Sequence, residues 1–285
     1  MTPIAEAMPD AAAAPRRDPA LKQRVAAHWE AEPCGTRGIA AGDRRAFFRA
    51  VDREREEKEP FIGEFAAFDG ARGRRVLEIG VGAGSDYVKW LRGGARAIGV
   101  DLTAKATELT RERCVLEGLT PAVSRTDCEA LPFLTGAFDV AYSYGVIHHA
   151  PDTQKAVAEI HRVLKPGGVA RVMVYHAPSI TGVMLWMVHC LLKLQPWRSP
   201  RWAVANHLES PGTKVYTVRE ARALFGAFSA VRIRTVLGTG DLLLMRRSKK
   251  YESTLARLAW RLYPRWAIRL AGDRFGLGML IEAVK

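Results

Sequence analysis

The stretch Val76-Leu77-Glu78-Ile79-Gly80-Val81-Gly82-Ala83-Gly84-Ser85-Asp86 runs from an apolar segment into a polar one through three evenly spaced glycines. The apolar part lacks the polar alternation of a half-exposed strand, which is typical of a strand covered on both faces. Glycine lets the backbone turn tightly and lets a ligand approach it closely. We therefore expect a strand, a tight turn and a helix that begins at Ser85, with a ligand over the end of the strand.

The glycine spacing argues against a dinucleotide as that ligand. The dinucleotide pattern G-x-G-x-x-G, counted from Gly80, requires its third glycine at position 85, where Ser85 stands. The third glycine is instead Gly84. The turn matches a dinucleotide site poorly.

Short apolar runs alternate with helical patterns from residue 74 to 168, which indicates βαβ units and a parallel sheet. Capping residues and stop signals mark the helices between the strands. The pattern predicts seven strands, at 75–79, 95–100, 122–126, 138–142, 169–175, 230–237 and 278–284. It predicts helices at 85–91, 103–117, 152–164 and 218–225, and one or two helices within 44–68.

The chain has 285 residues, 48% of them hydrophobic, so it can bury a sizeable core. Its net charge of +13 is concentrated toward the end, because residues 196–285 hold 17 Lys and Arg against 6 Asp and Glu. A solvated basic face explains this most simply. Attraction to an anionic substrate or an anionic membrane surface stays open, and nucleic acid is disfavoured because no base-reading motif is present.

Residues 1–19 are proline-broken and predict a flexible leader without the features of a secretory signal. The four cysteines, Cys34, Cys114, Cys128 and Cys190, have no paired short spacing, so we expect neither a zinc site nor disulfides and favour a cytoplasmic location. The longest apolar run, residues 180–194, is too short for a membrane span.

The motif Glu-x-Gly-x-Gly-x-Gly at 78–84 resembles the first motif of class I S-adenosylmethionine-dependent methyltransferases. Asp101 ends the predicted second strand 21 residues after Gly80, with Leu102 beside it. The resemblance implies that Asp101 accepts hydrogen bonds from the ribose hydroxyls of the donor, as acids at this strand tip do in related folds. The alternative is that Asp101 only caps the helix that starts near Thr103.

Three further stretches follow in the order and spacing of that family. Residues 126–133 resemble its third-strand loop, which implies that Asp127 holds the adenine amino group with Cys128 alongside. Residues 138–149 resemble the fourth strand and the loop beside the methionine portion of the donor, and residues 164–168 resemble the turn into the fifth strand. The resemblance spans residues 74 to about 176.

The resemblance implies a Rossmann-like α/β fold. It is a doubly wound, seven-stranded, mostly parallel sheet with an N-terminal helical lid and C-terminal helical insertions. The resemblance also implies S-adenosyl-L-methionine as the cofactor, with Glu78 suited to its cationic end and the N–H groups of the glycine loop to its carboxylate. The implied donor-binding residues are Glu78, Gly80, Gly82, Gly84, Asp101, Leu102, Asp127, Cys128 and Tyr144. We expect no metal, because the sequence shows no carboxylate cluster near the acceptor.

His148 and His149 are the candidate catalytic residues. The loop after the fourth strand opens toward the methyl group in this fold, and imidazole can take a proton at neutral pH. A His-His pair also occurs in the resembled family as a structural and positioning element, so scaffold and base stay alternatives. Tyr144, Tyr175 and His176 are further candidates for the pocket wall.

We divide the chain into the leader 1–19, a helical lid 20–72 and a methyltransferase domain 73–285. Trp29 or Phe47 of the lid is expected to contact the donor, although ordinary packing is the alternative. Insertions at 176–212 and 239–276 are expected to cover the acceptor. The first, with Trp186, Trp197 and Trp202, is apolar enough to form the acceptor wall. In the second, Trp260, Tyr263 and Trp266 alternate with arginines, which fits either a cap on an apolar acceptor or a surface that rests on anionic lipid.

The motif set is similar to the quinone, sterol and natural-product branch of the family, which implies a small apolar or aromatic acceptor. Transfer to oxygen is slightly favoured over carbon or nitrogen. The Asn-Pro-Pro-aromatic signature of many nitrogen methyltransferases is absent after the fourth strand, where residues 143–146 stand. The alternatives are a nucleic-acid or protein methyltransferase and a non-catalytic S-adenosylmethionine-binding protein. The sequence leaves the oligomeric state open.

Overall fold

The computed structural model describes residues 18–40, 42–244, 261 and 263–285. Of the predicted leader, only Asp18 and Pro19 are among them, and Pro19 already starts a helix. The prediction of a flexible leader therefore falls outside the described residues, as does Trp260.

A mostly parallel sheet forms the centre of the protein, in the strand order β3-β2-β1-β4-β5-β8-β7. Strand β8 runs antiparallel to β5 and β7, and the two-residue strand β6 pairs with the end of β5. The strands are β1 Arg75–Ile79, β2 Arg96–Asp101, β3 Val123–Arg125, β4 Phe138–Tyr144, β5 Leu164–His176, β6 Val215–Tyr216, β7 Ala230–Val236 and β8 Gly278–Val284. The expected doubly wound α/β fold is confirmed, and β6 is an eighth strand too short to be read from the sequence.

Ten α-helices lie among the described residues. They are α1 Pro19–Ala31, α2 Arg44–Lys58, α3 Ile62–Ala66, α4 Ser85–Arg92, α5 Ala104–Leu116, α6 Thr153–Val163, α7 Ile180–His189, α8 Pro200–His207, α9 Val218–Leu224 and α10 Arg265–Ala271. Short 3₁₀ turns occur at Phe68–Ala71, Ile147–His149, Leu191–Lys193 and Gly272–Phe275.

The predicted helix starts are confirmed by their caps. The side chain of Thr103 accepts a hydrogen bond from the third residue of α5, and Asp152 does the same for α6. Thr217 and Glu220 form a reciprocal capping box at α9. Each cap satisfies backbone N–H groups that the first helical turn cannot pair internally.

Strand β5 is longer than the sequence indicates. The predicted turn at 165–168 lies inside the strand, because Leu164 already pairs with Phe138 before the register shifts. Gly167 has a φ of +74°, which accommodates the irregularity. The Lys165 ammonium bonds Asp139 Oδ1 at 2.5 Å and holds this end of the strand against β4.

The two faces of the sheet are covered by separate apolar layers. Val76 of β1 packs in one layer with Trp90 and Tyr142, whereas Leu77 and Ile79 pack in the other layer with residues of α6 and α9. Because side chains alternate along a strand, Glu78 points to the same face as Val76. This buried carboxylate faces the side of the sheet on which α3 and α4 pack.

Candidate active site

A cavity of about 760 Å³ lies over the carboxyl ends of the parallel strands, where the loops after β1, β2, β3 and β4 meet. Its wall contains most of the residues that the sequence nominated for donor binding: Glu78, Gly80, Gly82, Asp101, Leu102, Asp127, Cys128 and Tyr144. His149 is also in the wall. Gly84 and His148 lie behind it.

The three glycines of the turn all have positive φ, but for different reasons. A Cβ on Gly80 would lie 2.2 Å from a methyl carbon of Val146, and one on Gly84 would lie 3.1 Å from a hydroxyl oxygen of α5. Those two glycines are required by packing. A Cβ on Gly82, whose φ is +52°, would meet nothing nearer than Cys34 at 4.0 Å, and Gly82 itself lines the cavity. Gly82 is therefore the glycine that leaves space for a ligand.

Asp101 joins the end of β2 to the glycine turn. Its Oδ2 accepts a hydrogen bond from Gly82 N at 3.2 Å, and its Oδ1 accepts from Thr103 N at 2.9 Å and Thr103 Oγ1 at 2.8 Å. The cap of α5 is Thr103 itself, so Asp101 supports the cap from outside. Burial raises the pKa of Asp101 above its usual value, against these hydrogen bonds. Its ribose role stays a prediction.

Helix α1 of the predicted lid reaches across the cavity at the loop after β3. Lys22 Nζ lies 2.6 Å from Asp127 Oδ2 and 2.6 Å from Glu129 Oε2. At the other end of α1, the Glu30 carboxylate accepts hydrogen bonds from the first two backbone N–H groups of α5, at 2.9 and 3.1 Å. Trp29 lies between these contacts, in the cavity wall, with its ring centroid 5.3 Å from that of His149.

Phe47 does not reach the cavity. It packs in a separate apolar cluster with Phe48 and Val51 of α2, so of the two aromatic residues proposed for donor contact only Trp29 is placed for it. The sequence could not separate the two because both lie in apolar patterns of helices.

Glu78 is 3% exposed, and its Oε2 has no hydrogen-bond partner among the described residues. Burial and the neighbouring Asp86 raise the pKa of Glu78 well above its usual value. Asp86 behaves oppositely: burial alone would raise its pKa, but Arg55, 2.5 Å away, and the Tyr142 hydroxyl at 2.7 Å lower it overall. Arg55 belongs to α2, so the predicted lid segment supplies a cation beside the cavity that the sequence did not reveal.

The two histidines of the Ile147–His149 turn occupy different environments. His149 Nδ1 lies 2.8 Å from Ser210 Oγ and 3.1 Å from Thr213 Oγ1, and its Nε2 lies 3.4 Å from Glu209 Oε2. His148 is fully buried, neither ring nitrogen has a hydrogen-bond partner among the described residues, and burial lowers its pKa well below the usual value. His149 can meet an acceptor molecule, whereas His148 is screened from the cavity in this conformation.

Of the other candidate wall residues, two line the cavity and one does not. Tyr144 lines the cavity and donates a hydrogen bond to Glu59 Oε1 at 3.1 Å. Tyr175 lines it as well, with its ring 4.2 Å from that of His148. His176 does not line it, because its Nδ1 is 3.1 Å from the carbonyl oxygen of Gly276 and the residue ties β5 to a loop.

The two predicted insertions line one end of the cavity, but not through their tryptophans. The first insertion contributes Thr181 and residues 207–209, and the second contributes residues 239–241. Trp186, Trp197 and Trp202 are absent from the wall, and Trp197 is 76% exposed. The expectation that they form it is therefore wrong: an apolar pattern predicts a helix face but not which surface that face meets.

Asp241 holds this end of the cavity together. It is fully buried and accepts hydrogen bonds from Thr181 N, Thr181 Oγ1, Gly238 N and Leu277 N at 2.6 to 3.2 Å. One carboxylate thus joins the start of α7, the loop after β7 and the entry to β8. Its backbone carbonyl also accepts from the Tyr263 hydroxyl at 2.7 Å.

His148, His149 and Glu209 bring three metal-ligating side chains together, with one ligand atom of each within 4.8 Å of the others. The sequence showed no carboxylate cluster, and the structure instead places one carboxylate against two imidazoles. Glu209 lies 60 residues after His149 in a loop without a recognisable motif. Nothing in the spacing could have found it.

Comparison with known proteins identifies the domain around this cavity. Residues 77–172 match the family model described as a methyltransferase domain. An uncharacterized protein of Mycobacterium tuberculosis is 34% identical over 113 residues, which are 40% of this chain and 41% of that protein. The ubiquinone biosynthesis O-methyltransferase of Methylococcus capsulatus is 35% identical over 97 residues, 34% of this chain and 41% of that enzyme.

The sterol 4-C-methyltransferase of Caenorhabditis elegans is 34% identical over 94 residues, 32% of this chain and 28% of that enzyme. Among solved structures, the methyltransferase in the complex with the Haloferax volcanii Trm112 methyltransferase activator has a TM-score of 0.55 at 20% identity, covering 86% of this chain and 97% of that chain. The chain spans about two fifths of the length of the first curated relatives it matches. The structural likeness concerns the fold.

Proposed function

Because residues 77–172 are a methyltransferase domain of the class I family, we propose that the protein transfers a methyl group from S-adenosyl-L-methionine to a small, apolar or aromatic molecule. One observation carries the proposal. The cavity gathers the glycine turn, the acids at the tips of β2 and β3, and the loop after β4 into one wall.

The residues present fit the donor. The orphaned, buried Oε2 of Glu78 suits the amino group, and Gly82 leaves the space in which the donor backbone can approach. Asp101 would accept from the ribose hydroxyls and Asp127 from the adenine amino group. When bound, the sulfonium supplies an activated methyl group for in-line displacement.

The chain contributes mainly position and the exclusion of water. Holding the acceptor atom in line can contribute about 7–11 kcal/mol to lowering the barrier. Transfer to oxygen is the slightly favoured chemistry, and it requires the loss of a proton from the acceptor. Of the two candidate histidines, His149 is placed to receive this proton, with Glu209 at its Nε2. The small-molecule acceptor class is supported by the quinone and sterol methyltransferases among the relatives.

Residues 20–72 are proposed to act as the lid. Lys22 pairs with Asp127, the acid assigned to adenine, so donor entry requires this ion pair to rearrange. The side chains of both residues are about a third exposed, and such pairs contribute only about 0–1 kcal/mol, so the rearrangement is inexpensive. Helix α1 can open and close on its contacts with Asp127 and with the start of α5.

Binding of S-adenosylhomocysteine, measured by titration calorimetry, tests the donor assignment directly. We expect one site per chain, with competition from S-adenosylmethionine. No heat with either compound, combined with binding of a pyridine or flavin dinucleotide, would contradict the proposal. A screen of host small molecules with labelled donor, followed by mass detection of products about 14 Da heavier, then identifies the acceptor.

We also propose that the protein contacts anionic membranes peripherally. Val183, Met187 and Leu191 recur at spacings of four along α7 and the turn after it, and each is exposed. Leu192, Leu194 and Trp197 extend this apolar surface, and residues 177–208 contain three Lys or Arg but no Asp or Glu. Apolar side chains flanked by cations suit the interface of an anionic bilayer. No helix among the described residues is long and apolar enough to cross a membrane.

Flotation with vesicles tests this surface. The wild-type protein should float with vesicles that contain phosphatidylglycerol and much less with pure phosphatidylcholine. Replacing Leu192 and Trp197 with Glu should abolish flotation, whereas Leu134→Glu, which changes an equally exposed leucine in the β3–β4 loop, should not. Loss of a dimer in light scattering, without any change in flotation, would identify a second copy as the occupant and contradict the lipid proposal.

We retain a cytoplasmic location as part of the proposal. All four cysteines are free in the structure, which supports a reducing compartment.

A further inference from the structure

The interior contains a buried imidazole to which the described residues offer no hydrogen bond. His148 is fully buried, and neither Nδ1 nor Nε2 has a hydrogen-bond partner among the described residues. Leaving a buried polar atom unpaired costs about 1–3 kcal/mol, and such groups are uncommon in folded proteins. A ring with two unpaired nitrogens therefore calls for a ligand.

The ligand atoms available next to His148 form a recognisable set. One atom each of His148, His149 and Glu209 lies within 4.8 Å of the other two. Tetrahedral ligands at about 2.0–2.2 Å from one ion lie about 3.3–3.6 Å from each other. Side-chain rotations that shorten a separation of 4.8 Å by about 1.2–1.5 Å would thus let all three reach a common ion.

The surroundings of His149 orient it as a ligand. Its Nδ1 lies 2.8 Å from Ser210 Oγ and 3.1 Å from Thr213 Oγ1, both of which can accept a hydrogen bond from Nδ1–H. That arrangement leaves the lone pair on Nε2, which faces Glu209. Histidines that bind metals are commonly held in this way, with the second nitrogen donating to a neighbouring group.

We infer that His148, His149 and Glu209 form a binding site for a divalent transition-metal ion of the zinc type. Two imidazoles and one carboxylate are a known ligand set for zinc and leave a fourth position open. His149 and Glu209 are in the cavity wall, so the open position faces the cavity. Metal binding does not depend on the proposed function. If the protein is also a methyltransferase, the ion would hold the acceptor oxygen and favour its ionised form. It would then take over the role proposed for His149, because an Nε2 that binds a metal cannot also receive the acceptor's proton.

The test is made on full-length protein without an affinity tag, dialysed against a chelator and then titrated with Zn²⁺ by calorimetry. Co²⁺ serves as a second probe, because coordination by imidazole and carboxylate gives visible ligand-field absorption. We expect one ion per chain. Glu209→Gln should weaken binding at least tenfold and reduce the Co²⁺ absorption, and Ser210→Ala should weaken it about 10–100-fold by loosening His149.

Glu32→Gln is the matched control, since Glu32 is another carboxylate of the same cavity wall and lies outside the cluster. It should bind the metal as the wild type does. His207→Ala tests whether the metal binds instead at the other histidine pair, His189 and His207, whose rings stack at 3.9 Å. Binding lost in His207→Ala but kept in Glu209→Gln would overturn the inference, as would the absence of one-to-one binding in the wild type.

S-adenosylhomocysteine binding keeps the two proposals separable. Each variant is titrated with this compound to show that it is folded. Retained S-adenosylhomocysteine binding without metal binding defeats only the metal site. Metal binding without any adenosyl ligand defeats only the proposed function.

Discussion

Replacing Gly82 with alanine tests whether this glycine is needed to make room for a ligand or to keep the turn folded. Gly82 has a φ of +52°, so any other residue is strained there whatever the space around it. The added Cβ would nevertheless meet nothing nearer than Cys34 at 4.0 Å, across the cavity. The variant therefore folds with a moderate penalty and carries a methyl group into the proposed donor site.

The expected magnitudes follow from this geometry. A left-handed backbone costs an ordinary residue about 1–2 kcal/mol, so the free energy of unfolding should fall by that amount. Forcing a methyl group into a filled site costs about 1–3 kcal/mol more. Applied to the bound donor, this penalty corresponds to a loss of affinity of about 5- to 150-fold.

The two quantities are measured by urea unfolding and by calorimetric titration with S-adenosylhomocysteine. Gly118→Ala is the matched control, because Gly118 has a φ of +70°, no atom within 4 Å of the added Cβ and no place in the cavity wall. It should lose similar stability and keep full affinity. Gly80→Ala, whose Cβ would lie 2.2 Å from Val146, should lose substantially more stability than either.

Unchanged S-adenosylhomocysteine affinity in Gly82→Ala would refute the assignment of the donor to this turn. Equal losses of affinity in Gly82→Ala and Gly118→Ala would trace the effect to stability alone, and would refute it too.

Three further outcomes are expected. Asp101→Asn should weaken S-adenosylhomocysteine binding by well over tenfold, since each hydrogen bond to a charged group contributes about 1.5–3 kcal/mol. Asp139→Asn is the control, because it also removes a carboxylate that accepts a backbone N–H, and it should leave binding unchanged. Equal losses of affinity in the two variants, measured by calorimetry, would contradict the ribose role. The pKa of Glu78 is raised in the folded protein, so the folded state holds this proton more tightly than the unfolded state and stability is lost as pH rises above 4.5. In urea unfolding, Glu78→Gln should therefore be more stable than the wild type at pH 7, and this gain should vanish below pH 4.5. The same variant should bind S-adenosylhomocysteine more weakly. Asp241→Asn should lower the free energy of unfolding by about 2–3 kcal/mol in urea titrations, because backbone donors that face a buried carboxylate would lose their acceptor. An unaltered unfolding curve would show that this carboxylate does not hold the insertions.

The parts of the fold that follow from local rules were predicted well. The glycine spacing, the unbroken apolar runs of the central strands and the caps at Thr103, Asp152 and Thr217 each depend on residues close together in the chain. Such features set backbone conformation within a few residues, and they recur wherever the same local pattern occurs. Strand β6 was not predicted, because two residues are too few to show a periodic pattern.

Which residues line the cavity at the strand ends was largely predictable for a related reason. The carboxyl ends of parallel strands meet at one edge of the sheet, so residues at the ends of β1, β2 and β4 must lie together once the strand order is known. Glu78, Asp101 and Tyr144 are all found in the cavity wall. The assignment of separate roles to them stays a set of predictions.

What only the tertiary structure decided is how distant segments meet over that edge. Lys22 faces Asp127 across 105 residues of sequence, and Glu209 reaches His149 across 60. The burial of His148 and the exposure of Trp197 were likewise decided by the tertiary structure. The sequence by itself determined the sheet, its helices and the ligand-binding edge, because those depend on short-range periodicity and chain direction. Contacts between separate elements depend on how whole faces pack, and no local pattern encodes which face a loop or helix will meet.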